Sequence, residues 1–448
     1  MTRLFALHSA FGLTTAAAAI DDGMFDGGER LLVPFNSSRV PETTIGIDDQ
    51  PTLESLRSRF DRVESLDAVL QPRHPSSWEP DAVELPVLRH LLERVWRLEG
   101  DLELCVQSPQ VAPARTLMSI FPNARITIIG DGLMTYSPIR VKLPRSVVAR
   151  IGRVVYADIV PDVTPLVFRE AGAEPTPVPA ARFAAALAET SGEDAQLDAL
   201  VDAAPTALVL GQYLAALGLV TPEEEVGMQQ TMIDRARRWG PSRIVFKPHP
   251  SAPPALTDAV RERAENHGLD FVVYRGPVPA EIVAERLDAV GVVAGFSTAL
   301  PTIRALQGRP IAAAGAAEML RLLTPFENSN RVPATIVDAL TRERSPYASP
   351  ERMQLLIDAV GYAMQPRIAA GLRPRAEELL QDLPDAERTR YFDPARLAEL
   401  QLPGAPPENP MRRMLRSAGG VGRAEELRLS IHGARRRAKR AWDVVRGR

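Results

Sequence analysis

The chain has a single cysteine, Cys105, among its 448 residues. One cysteine excludes an internal disulfide framework, and it lacks the partners that a cysteine-based zinc cluster requires. Such usage is typical of a reducing compartment, so we expect a cytoplasmic protein. With 45% hydrophobic and 24% charged residues at this length, the sequence predicts two globular domains plus extensions.

Long hydrophobic runs are also missing, and no stretch approaches the ~18 uninterrupted apolar residues of a membrane span. Two short apolar blocks near the start, Leu4–Leu7 and Ala16–Ala19, could imitate a signal peptide. His8 and Ser9 interrupt this region, as do two threonines. The pattern therefore favours a short strand, a turn and a helix.

Several motifs of well-known enzyme classes are absent. The sequence contains no Asp-x-Asp, no His-Glu-x-x-His, no Gly-x-x-x-x-Gly-Lys-Ser/Thr and no Gly-x-Ser-x-Gly. Metal-bridged diphosphate chemistry, zinc-dependent hydrolysis, P-loop hydrolysis and α/β-hydrolase chemistry all lose support. We expect a reaction that requires no metal and no resident cofactor.

Lysine is scarce, with three residues against fifty arginines, and the basic charge is unevenly placed. Residues 411–448 hold twelve basic and three acidic residues, a balance of +9, so the net charge of −3 leaves −12 for the rest of the chain. This basic tail indicates either an anionic partner surface or a solvated helical end. Because the body is acidic and aromatics are only 5%, we predict peripheral contact with an anionic membrane at its inner face, and no nucleic-acid partner.

Short apolar runs alternate with helical patterns in two series, which predicts an α/β fold with two Rossmann-like domains facing each other across a cleft. We expect an N-terminal domain over residues 1–190, a second domain over 200–330, a helical region over 331–410 that packs across both, and the tail. A Pro/Ala-rich stretch, Ala171–Asp202, is interpreted as a linker region. The predicted strands are Leu4–His8, Leu31–Phe35, Ala68–Leu70, Leu102–Val106, Arg125–Ile129, Ala207–Leu210, Arg243–Lys247, Phe271–Tyr274, Ala289–Ala294 and Pro310–Ala314.

The segment Lys247-Pro248-His249-Pro250-Ser251 follows one of these strands directly. Proline cannot donate to a sheet ladder and pushes the preceding residue into an extended conformation, so His249 is fixed where open α/β sheets bind ligands. A lysine in so arginine-rich a chain favours a compact charge near a phosphate. The alternative is a turn with an incidental histidine. His74-Pro75-Ser76-Ser77 shares the His-Pro-Ser sequence, but no apolar strand leads into it, and we interpret it as a loop.

A second element, Val292–Leu300, is a strand that ends at Gly295-Phe296 and is followed by Ser297-Thr298 at a helix start. Amides and hydroxyls at a helix start attract phosphate, although an ordinary N-cap has the same pattern. Gly211-Gln212, after the first strand of the second domain, is a similar loop of lower specificity.

A third element, Gly130-Asp131-Gly132, places a carboxylate between glycines at the end of a first-domain strand. Such an aspartate could serve as a general base, or it could belong to an ordinary Asp-Gly turn. His8-Ser9 and Asn36 also follow early strands and could line an acceptor side of the cleft.

In these three elements the sequence resembles the bacterial sialyltransferases and capsule polysialyltransferases of the GT-B type. That family has an acidic-acidic-Gly motif in its first domain, then a His-Pro motif and a Ser/Thr pair in its second. The corresponding positions here are Gly130-Asp131-Gly132, His249-Pro250 and Ser297-Thr298. The start, Leu7–Phe11, also looks like the family's first strand and turn. The resemblance covers roughly residues 1–330, and Gly130 departs from the family pattern because it replaces an acid.

The resemblance implies an inverting, metal-independent transfer of a nonulosonic (sialic-type) acid from a CMP-activated donor to a glycan or glycolipid in envelope or capsule synthesis. Asp131 would be the base and His249 would stabilise or protonate the departing phosphate, which Ser297 and Thr298 would hold. Two alternatives remain open. Lys247 would suit a CDP-glycerol-dependent glycerophosphotransferase of the teichoic acid type, whereas the departure at Gly130 would suit a catalytically silent nucleotide-binding scaffold.

Overall fold

The computed structural model describes residues 1–38, 45–215, 220–249 and 252–406. The chain divides into two compact units, residues 1–379 and 380–448. Pro250, Ser251 and the basic tail lie outside the described residues. None of the helices within the described ranges is long and apolar enough to cross a bilayer.

The first unit contains two parallel β-sheets, which confirms the predicted α/β class with two Rossmann-like sheets. The first sheet has seven strands in the order β3-β2-β1-β4-β5-β6-β7. These strands are Thr2–Leu7 (β1), Glu29–Pro34 (β2), Arg62–Val63 (β3), Leu102–Val106 (β4), Arg125–Ile129 (β5), Ile151–Ala157 (β6) and Glu174–Val178 (β7). The second sheet has five strands in the order β10-β9-β8-β11-β12. They are Thr206–Leu210 (β8), Arg243–Lys247 (β9), Asp270–Val273 (β10), Gly291–Ala294 (β11) and Ile311–Ala313 (β12).

Helices connect these strands and continue beyond them. The helices that precede the second sheet in the chain are Ala10–Asp21 (α1), Glu54–Arg57 (α2), Leu66–Leu70 (α3), Leu85–Val95 (α4), Ala114–Ile120 (α5), Arg145–Val148 (α6), Ala180–Ala188 (α7) and Ala195–Asp198 (α8). Those of the second sheet are Pro222–Ala236 (α9), Pro254–Asn266 (α10), Ala280–Arg286 (α11) and Ala299–Gln307 (α12). Ala316–Leu322 (α13) follows the last strand of the second sheet. The predicted helical region, residues 331–410, contains Arg331–Thr341 (α14), Pro350–Met364 (α15), Arg373–Gln381 (α16), Asp385–Tyr391 (α17) and Pro394–Leu400 (α18).

Burial on both faces explains why the central strands have continuous apolar sequences that could be predicted as strands. All six residues of β1 and all five of β8 are buried, as expected for parallel strands covered on both faces. The core around the second sheet contains residues of all five of its strands and of α9 and α10, with Ile233, Phe246 and Val260 at most 1% exposed. Helix α9 begins with a capping box, in which the Thr221 hydroxyl accepts from the Glu224 amide and the Glu224 carboxylate accepts from the Thr221 amide.

Two predictions about secondary structure are wrong. Ala68–Leu70 is not a strand but the end of α3, because a three-residue apolar run carries no periodicity that separates strand from helix. Glu174–Val178, within the predicted linker, is β7. Its two prolines are tolerated because β7 is an edge strand that pairs only with β6. The sequence analysis also missed β6.

The helical region contacts both sheets of the first unit. Helix α14 packs against the short 3-10 helix Gly132–Tyr136 and also against β12. Asp358 of α15 is fully buried, and it accepts hydrogen bonds from Arg169 at 2.9 Å and Arg375 at 3.2 Å. In the second unit, the Asp393 carboxylate caps α18 by accepting from the Ala395 amide at 2.7 Å.

A buried ion cluster lies at the amino ends of the first sheet's central strands. The Glu103 carboxylate accepts from Arg3 Nε at 3.1 Å and from Thr127 Oγ1 at 2.7 Å, and Arg153 lies 3.5 Å away. Arg3 and Glu103 are each 7% exposed. Removing one partner of a buried pair leaves an uncompensated charge in a region of low dielectric constant.

We predict that Glu103→Ala destabilises the first unit by about 3 kcal/mol, because Arg3 and Arg153 lose their shared anion. Glu93→Ala is the matched control, since Glu93 pairs with Arg89 at 3.7 Å on the surface and should change stability by less than about 0.5 kcal/mol. Denaturant unfolding followed by circular dichroism measures both. Equal midpoints for the two variants would contradict a stabilising role of the cluster.

Candidate active site

The strand orders place the candidate residues at two corresponding positions. In each sheet the order reverses between the first and fourth strands, β1 and β4 in one and β8 and β11 in the other. Open parallel sheets bind ligands outside the carboxyl ends of the strands at such a reversal. His8-Ser9 follows β1, Gly211-Gln212 follows β8, and Gly295 to Thr298 follows β11. Asp131 and His249 follow the neighbouring strands β5 and β9.

Gln107 connects the two loops at the reversal of the first sheet. Its side chain is fully buried; Oε1 accepts from the His8 amide at 3.1 Å, and Nε2 donates to Ser9 Oγ at 2.7 Å. Ser9 Oγ in turn caps α1 by accepting from the Gly12 amide at 3.0 Å. Ser9 is thus occupied in fixing the loop geometry.

His8 lies between two hydroxyl groups and close to Asp131. Its Nδ1 is 3.2 Å from Ser37 Oγ, and its Nε2 is 3.0 Å from Ser108 Oγ. Burial lowers the pKa of His8, while the charge of Asp131 opposes that change. A neutral imidazole can accept a hydrogen bond at one nitrogen and donate at the other, so it suits this position between two hydroxyls.

Ser108 holds an unfavourable backbone conformation, with φ +53°. A non-glycine residue in the left-handed region costs roughly 1 kcal/mol or more. The conformation places Ser108 beside both His8 and a cavity of about 140 Å³. Asp131 and Arg140 also line this cavity, so it is the opening beside the candidate base.

Asp131 is partly buried, and its backbone is fixed by the residues that follow. The Asp131 amide donates to Thr135 Oγ1 at 2.8 Å, and the Met134 amide donates to the Asp131 carbonyl at 3.1 Å. These bonds form the short 3-10 helix that packs on α14. The carboxylate therefore projects from a rigid turn rather than from a loose loop.

The departure from the family pattern at Gly130 has a packing explanation. A Cβ at this position would lie 2.8 Å from both Thr135 Oγ1 and Tyr156 Cβ, and 3.2 Å from Tyr156 Cα. Cβ atoms essentially never approach backbone and Cβ atoms so closely. An acid at position 130 would thus require the neighbouring strand β6 to move, which leaves Asp131 as the acid of this motif.

Asn36 is engaged in the turn that follows β2. Its amide donates to Asp67 Oδ2 at 2.9 Å, and its Oδ1 accepts from the Ser38 amide at 2.9 Å. The neighbouring Ser37 contacts His8.

Gln212 plays the corresponding part in the second sheet. Its Oε1 accepts from the Phe296 amide, which joins the loop after β8 to the loop after β11. A Cβ on Gly295 would lie 2.4 Å from this same Oε1, so glycine allows the amide to approach. The Gln212 carbonyl accepts from the buried Gln229 of α9 at 3.0 Å. Gln212 is therefore placed to orient the Gly295–Ser297 backbone.

Ser297 and Thr298 form the start of α12. Ser297 Oγ accepts from the Ala299 amide at 3.2 Å, whereas the Thr298 side chain makes no capping hydrogen bond. This start is a set of amide donors at the carboxyl edge of the second sheet, with the helix dipole adding to their attraction for anions. Gly211 is beside it; its amide donates to the Lys247 carbonyl at 2.8 Å, and a Cβ would meet Phe246 Cζ at 2.7 Å.

Lys247 is held inside the second sheet's own loops. Its Nζ donates to the Gly276 carbonyl at 2.6 Å and lies 4.7 Å from the centre of the Tyr274 ring. Burial lowers the pKa of Lys247, and the charges of Asp194 and Glu281 oppose that change. Two residues further on, His249 is exposed at the end of the segment, and its carbonyl accepts from the Ala252 amide at 2.9 Å.

The structure thus collects the predicted residues into two groups, one per sheet. His8, Ser9 and Asp131 belong to the first group, and Gly211, Gln212 and Gly295 to Thr298 to the second. Sequence reasoning missed Gln107 and Ser108, since single polar residues after a strand form no motif. His74 caps a local 3-10 helix by accepting from the Ser76 amide at 3.1 Å, in keeping with its interpretation as a loop residue.

Three solved structures of limited similarity are a sialyltransferase from Photobacterium damselae, residues 113–497 corresponding to the GT-B domain, and two UDP-GlcNAc 2-epimerases. The sialyltransferase has 12% identity and a TM-score of 0.40, with 77% of this chain and 99% of that chain covered. The epimerase from Methanocaldococcus jannaschii has 8% identity and a TM-score of 0.43, with 81% of this chain and 99% of that chain covered. The epimerase from Neisseria meningitidis, bound to UDP-GlcNAc, has 10% identity and a TM-score of 0.42, with 83% of this chain and 94% of that chain covered. No curated protein sequence matches the chain.

The family assignment rests on a different comparison. The family model described as alpha-2,8-polysialyltransferase (POLYST) matches residues 3–314, which is more than half of the chain and includes every candidate site residue. The chain therefore belongs to the alpha-2,8-polysialyltransferase family and is a sialyltransferase-type glycosyltransferase.

Proposed function

We propose that the chain transfers a nonulosonic acid of the sialic type from a CMP-activated donor to a glycan or glycolipid of the cell envelope or capsule. The transfer is inverting and uses no metal. The observation that carries the proposal is the grouping at the two sheet edges: an acid beside an open cavity on the first sheet, and an anion-attracting helix start on the second.

Asp131 accepts the proton of the acceptor hydroxyl as the oxygen of that hydroxyl attacks the anomeric carbon of the donor. The fixed turn around Asp131 supports this role, because a base must be held within hydrogen-bond distance of the proton that it removes. The buried Gln107 and the neutral His8 keep the surrounding loops in place.

In the same step, the bond between the sugar and the CMP phosphate breaks, and negative charge accumulates on that phosphate. The α12 amides with Ser297 and Thr298 stabilise this charge, and His249 stabilises or protonates the departing oxygen. Donors that are fixed before the reaction stabilise such charge at little reorganisation cost. Gln212 supports this arrangement by holding the Phe296 amide.

The two alternative functions lose the local features that favoured them. A CDP-glycerol transferase was suggested by Lys247, whose amine is engaged by the Gly276 carbonyl and the Tyr274 ring. A silent scaffold was suggested by the missing acid at Gly130, where the close packing of Tyr156 and Thr135 is by itself a sufficient reason for the glycine.

Release of CMP tests the donor and the two central residues. We expect the purified protein to release CMP from CMP-sialic acid in the presence of EDTA and a sialylated acceptor, and not from CDP-glycerol. Asp131→Asn and His249→Ala should each lower turnover by about 10²–10⁴-fold, because each removes a proton-transfer or charge-stabilising group. His74→Ala, which changes the other His-Pro sequence, is the control and should retain full turnover. Release from CDP-glycerol alone would refute the proposed donor.

Substitution of Gly130 tests whether the missing acid has a function. Gly130→Ala should destabilise the protein by about 2 kcal/mol, since the added Cβ overlaps Tyr156 and Thr135. Gly152→Ala is the matched control, because a Cβ there meets nothing within 4 Å. Gly130→Glu should destabilise further without raising turnover, as measured by thermal unfolding and CMP release. A stable Gly130→Glu variant with higher turnover would mean that a second acid takes part.

The pH dependence of turnover tests the role of His8. Because its pKa is lowered, His8 is neutral near pH 7 and gains a proton only on the acid side of its ordinary value of 6.5. The imidazolium would then pair with Asp131 and weaken it as a base. We expect the acid limb of kcat/KM to lie at lower pH in His8→Asn than in the natural protein, whereas His74→Asn leaves it unchanged. Superimposable profiles for all three proteins would exclude this coupling.

A further inference from the structure

Helix α4 exposes most of its apolar side chains. Val83, just before the helix, is 83% exposed; Val87, Leu91 and Val95 are 71%, 50% and 44% exposed. Within α4 itself only Leu92 is buried. Residues four apart lie above one another on a helix, so the side chains of Val87, Leu91 and Val95 form a continuous stripe, which we call the α4 stripe.

The α4 stripe has no explanation in the stability of the folded chain. Valine is a poorer helix former than alanine, lysine or glutamate by about 0.5 kcal/mol, and two of the three residues are valines. Isolated exposed apolar residues are ordinary, whereas a contiguous apolar patch marks a surface that contacts a partner or a membrane.

One border of the α4 stripe is basic. At 100° per residue, His90 and Arg94 fall along the same side of it, and the exposed Arg97 follows just after the end of the helix. Within the described ranges, neither Arg94 nor Arg97 forms an ion pair. The helix acids are otherwise engaged: Glu93 pairs with Arg89 at 3.7 Å, and Glu84 at the amino end accepts from the Asp81 amide at 2.8 Å.

This charge arrangement distinguishes between two occupants. In a two-fold antiparallel pairing of α4 with a second copy, each border faces the same border of the other helix. His90 and Arg94 would then face the same basic residues of the other copy, which is electrostatically unfavourable. An anionic lipid surface avoids that repulsion, since it offers hydrocarbon to the stripe and phosphate groups to the guanidinium groups.

We propose that α4 lies on an anionic lipid surface, with the α4 stripe at the boundary of the acyl chains and with Arg94 and Arg97 at the headgroup phosphates. This contact is separate from the basic residues 411–448. It is distinguishable from them because apolar insertion survives salt that screens purely electrostatic attraction.

Flotation of the full-length protein with vesicles tests the proposal. Vesicles of phosphatidylglycerol alone and of phosphatidylcholine alone are compared at low salt and at about 0.5 M salt, where the Debye length is only a few ångströms. The double variant Val87→Asp/Leu91→Asp should lower the fraction bound to phosphatidylglycerol at high salt by about tenfold or more, because two charged groups replace inserted apolar ones. Arg94→Glu/Arg97→Glu should lower binding to phosphatidylglycerol at low salt without changing binding to phosphatidylcholine.

The control is Val63→Asp/Val201→Asp, which changes two exposed valines outside α4, 42% and 49% exposed. It should bind vesicles as the natural protein does, and all variants should keep the same thermal midpoint. If Val87→Asp/Leu91→Asp binds vesicles normally, the proposal is wrong. If that variant instead abolishes concentration-dependent self-association and leaves vesicle binding unchanged, the α4 stripe is an interface between copies.

Discussion

A glutamine side-chain amide at the reversal of each sheet, fully buried at Gln107 and half-buried at Gln212, makes the interaction on which both candidate groups depend. Parallel strands end at one edge, and the backbone amides of the loops there lose their ladder partners. Buried amides must find acceptors elsewhere. Gln107 Oε1 is the acceptor for the His8 amide, and Gln212 Oε1 is the acceptor for the Phe296 amide. In each case a single side chain from one loop fixes the backbone of its neighbour, so two sheets with unrelated sequences reach the same solution.

Glycine makes these close approaches possible, and it does so by different means at different positions. At Gly295 the absent Cβ leaves room for the Gln212 amide, whereas at Gly130 it leaves room for β6 itself. The second case changes how the family motif is understood. Two consecutive acidic residues need space for their side chains on opposite sides of the strand end, and Tyr156 occupies one of those sides here. The substitution therefore reflects the packing of β6 against β5 and carries no implication that the chemistry is lost.

The sequence allowed the two sheets and their central strands to be predicted, because uninterrupted apolar runs such as Leu4–Leu7 are what burial on both faces demands. It failed where neighbours decide the structure. The prolines of β7 suggested a linker, because proline has no backbone N–H to donate to a neighbouring strand. Only the tertiary structure shows that β7 lies at the edge of the sheet, where this donor is not needed. Strand β6 was missed because Gly152 and Arg153 break its apolar pattern. Asp131 and Ser297 could be found from motifs, whereas Gln107 and Ser108 acquire their roles only through contacts with residues about a hundred positions away.

Lys247 shows how a correct observation can have more than one physical cause. Its rarity in an arginine-rich chain suggested a phosphate contact, and a compact point charge does suit phosphate. The same compactness suits the position that the amine occupies, between a carbonyl oxygen at 2.6 Å and the face of Tyr274. A planar guanidinium is longer and would have to displace the ring or the Gly276 loop to make both contacts. Tyr274 in turn donates to Asp194 at 2.6 Å, which links the end of β10 to the start of α8, before the second sheet. The lysine thus stabilises the strand end from which His249 extends, whatever further contact its remaining donors make.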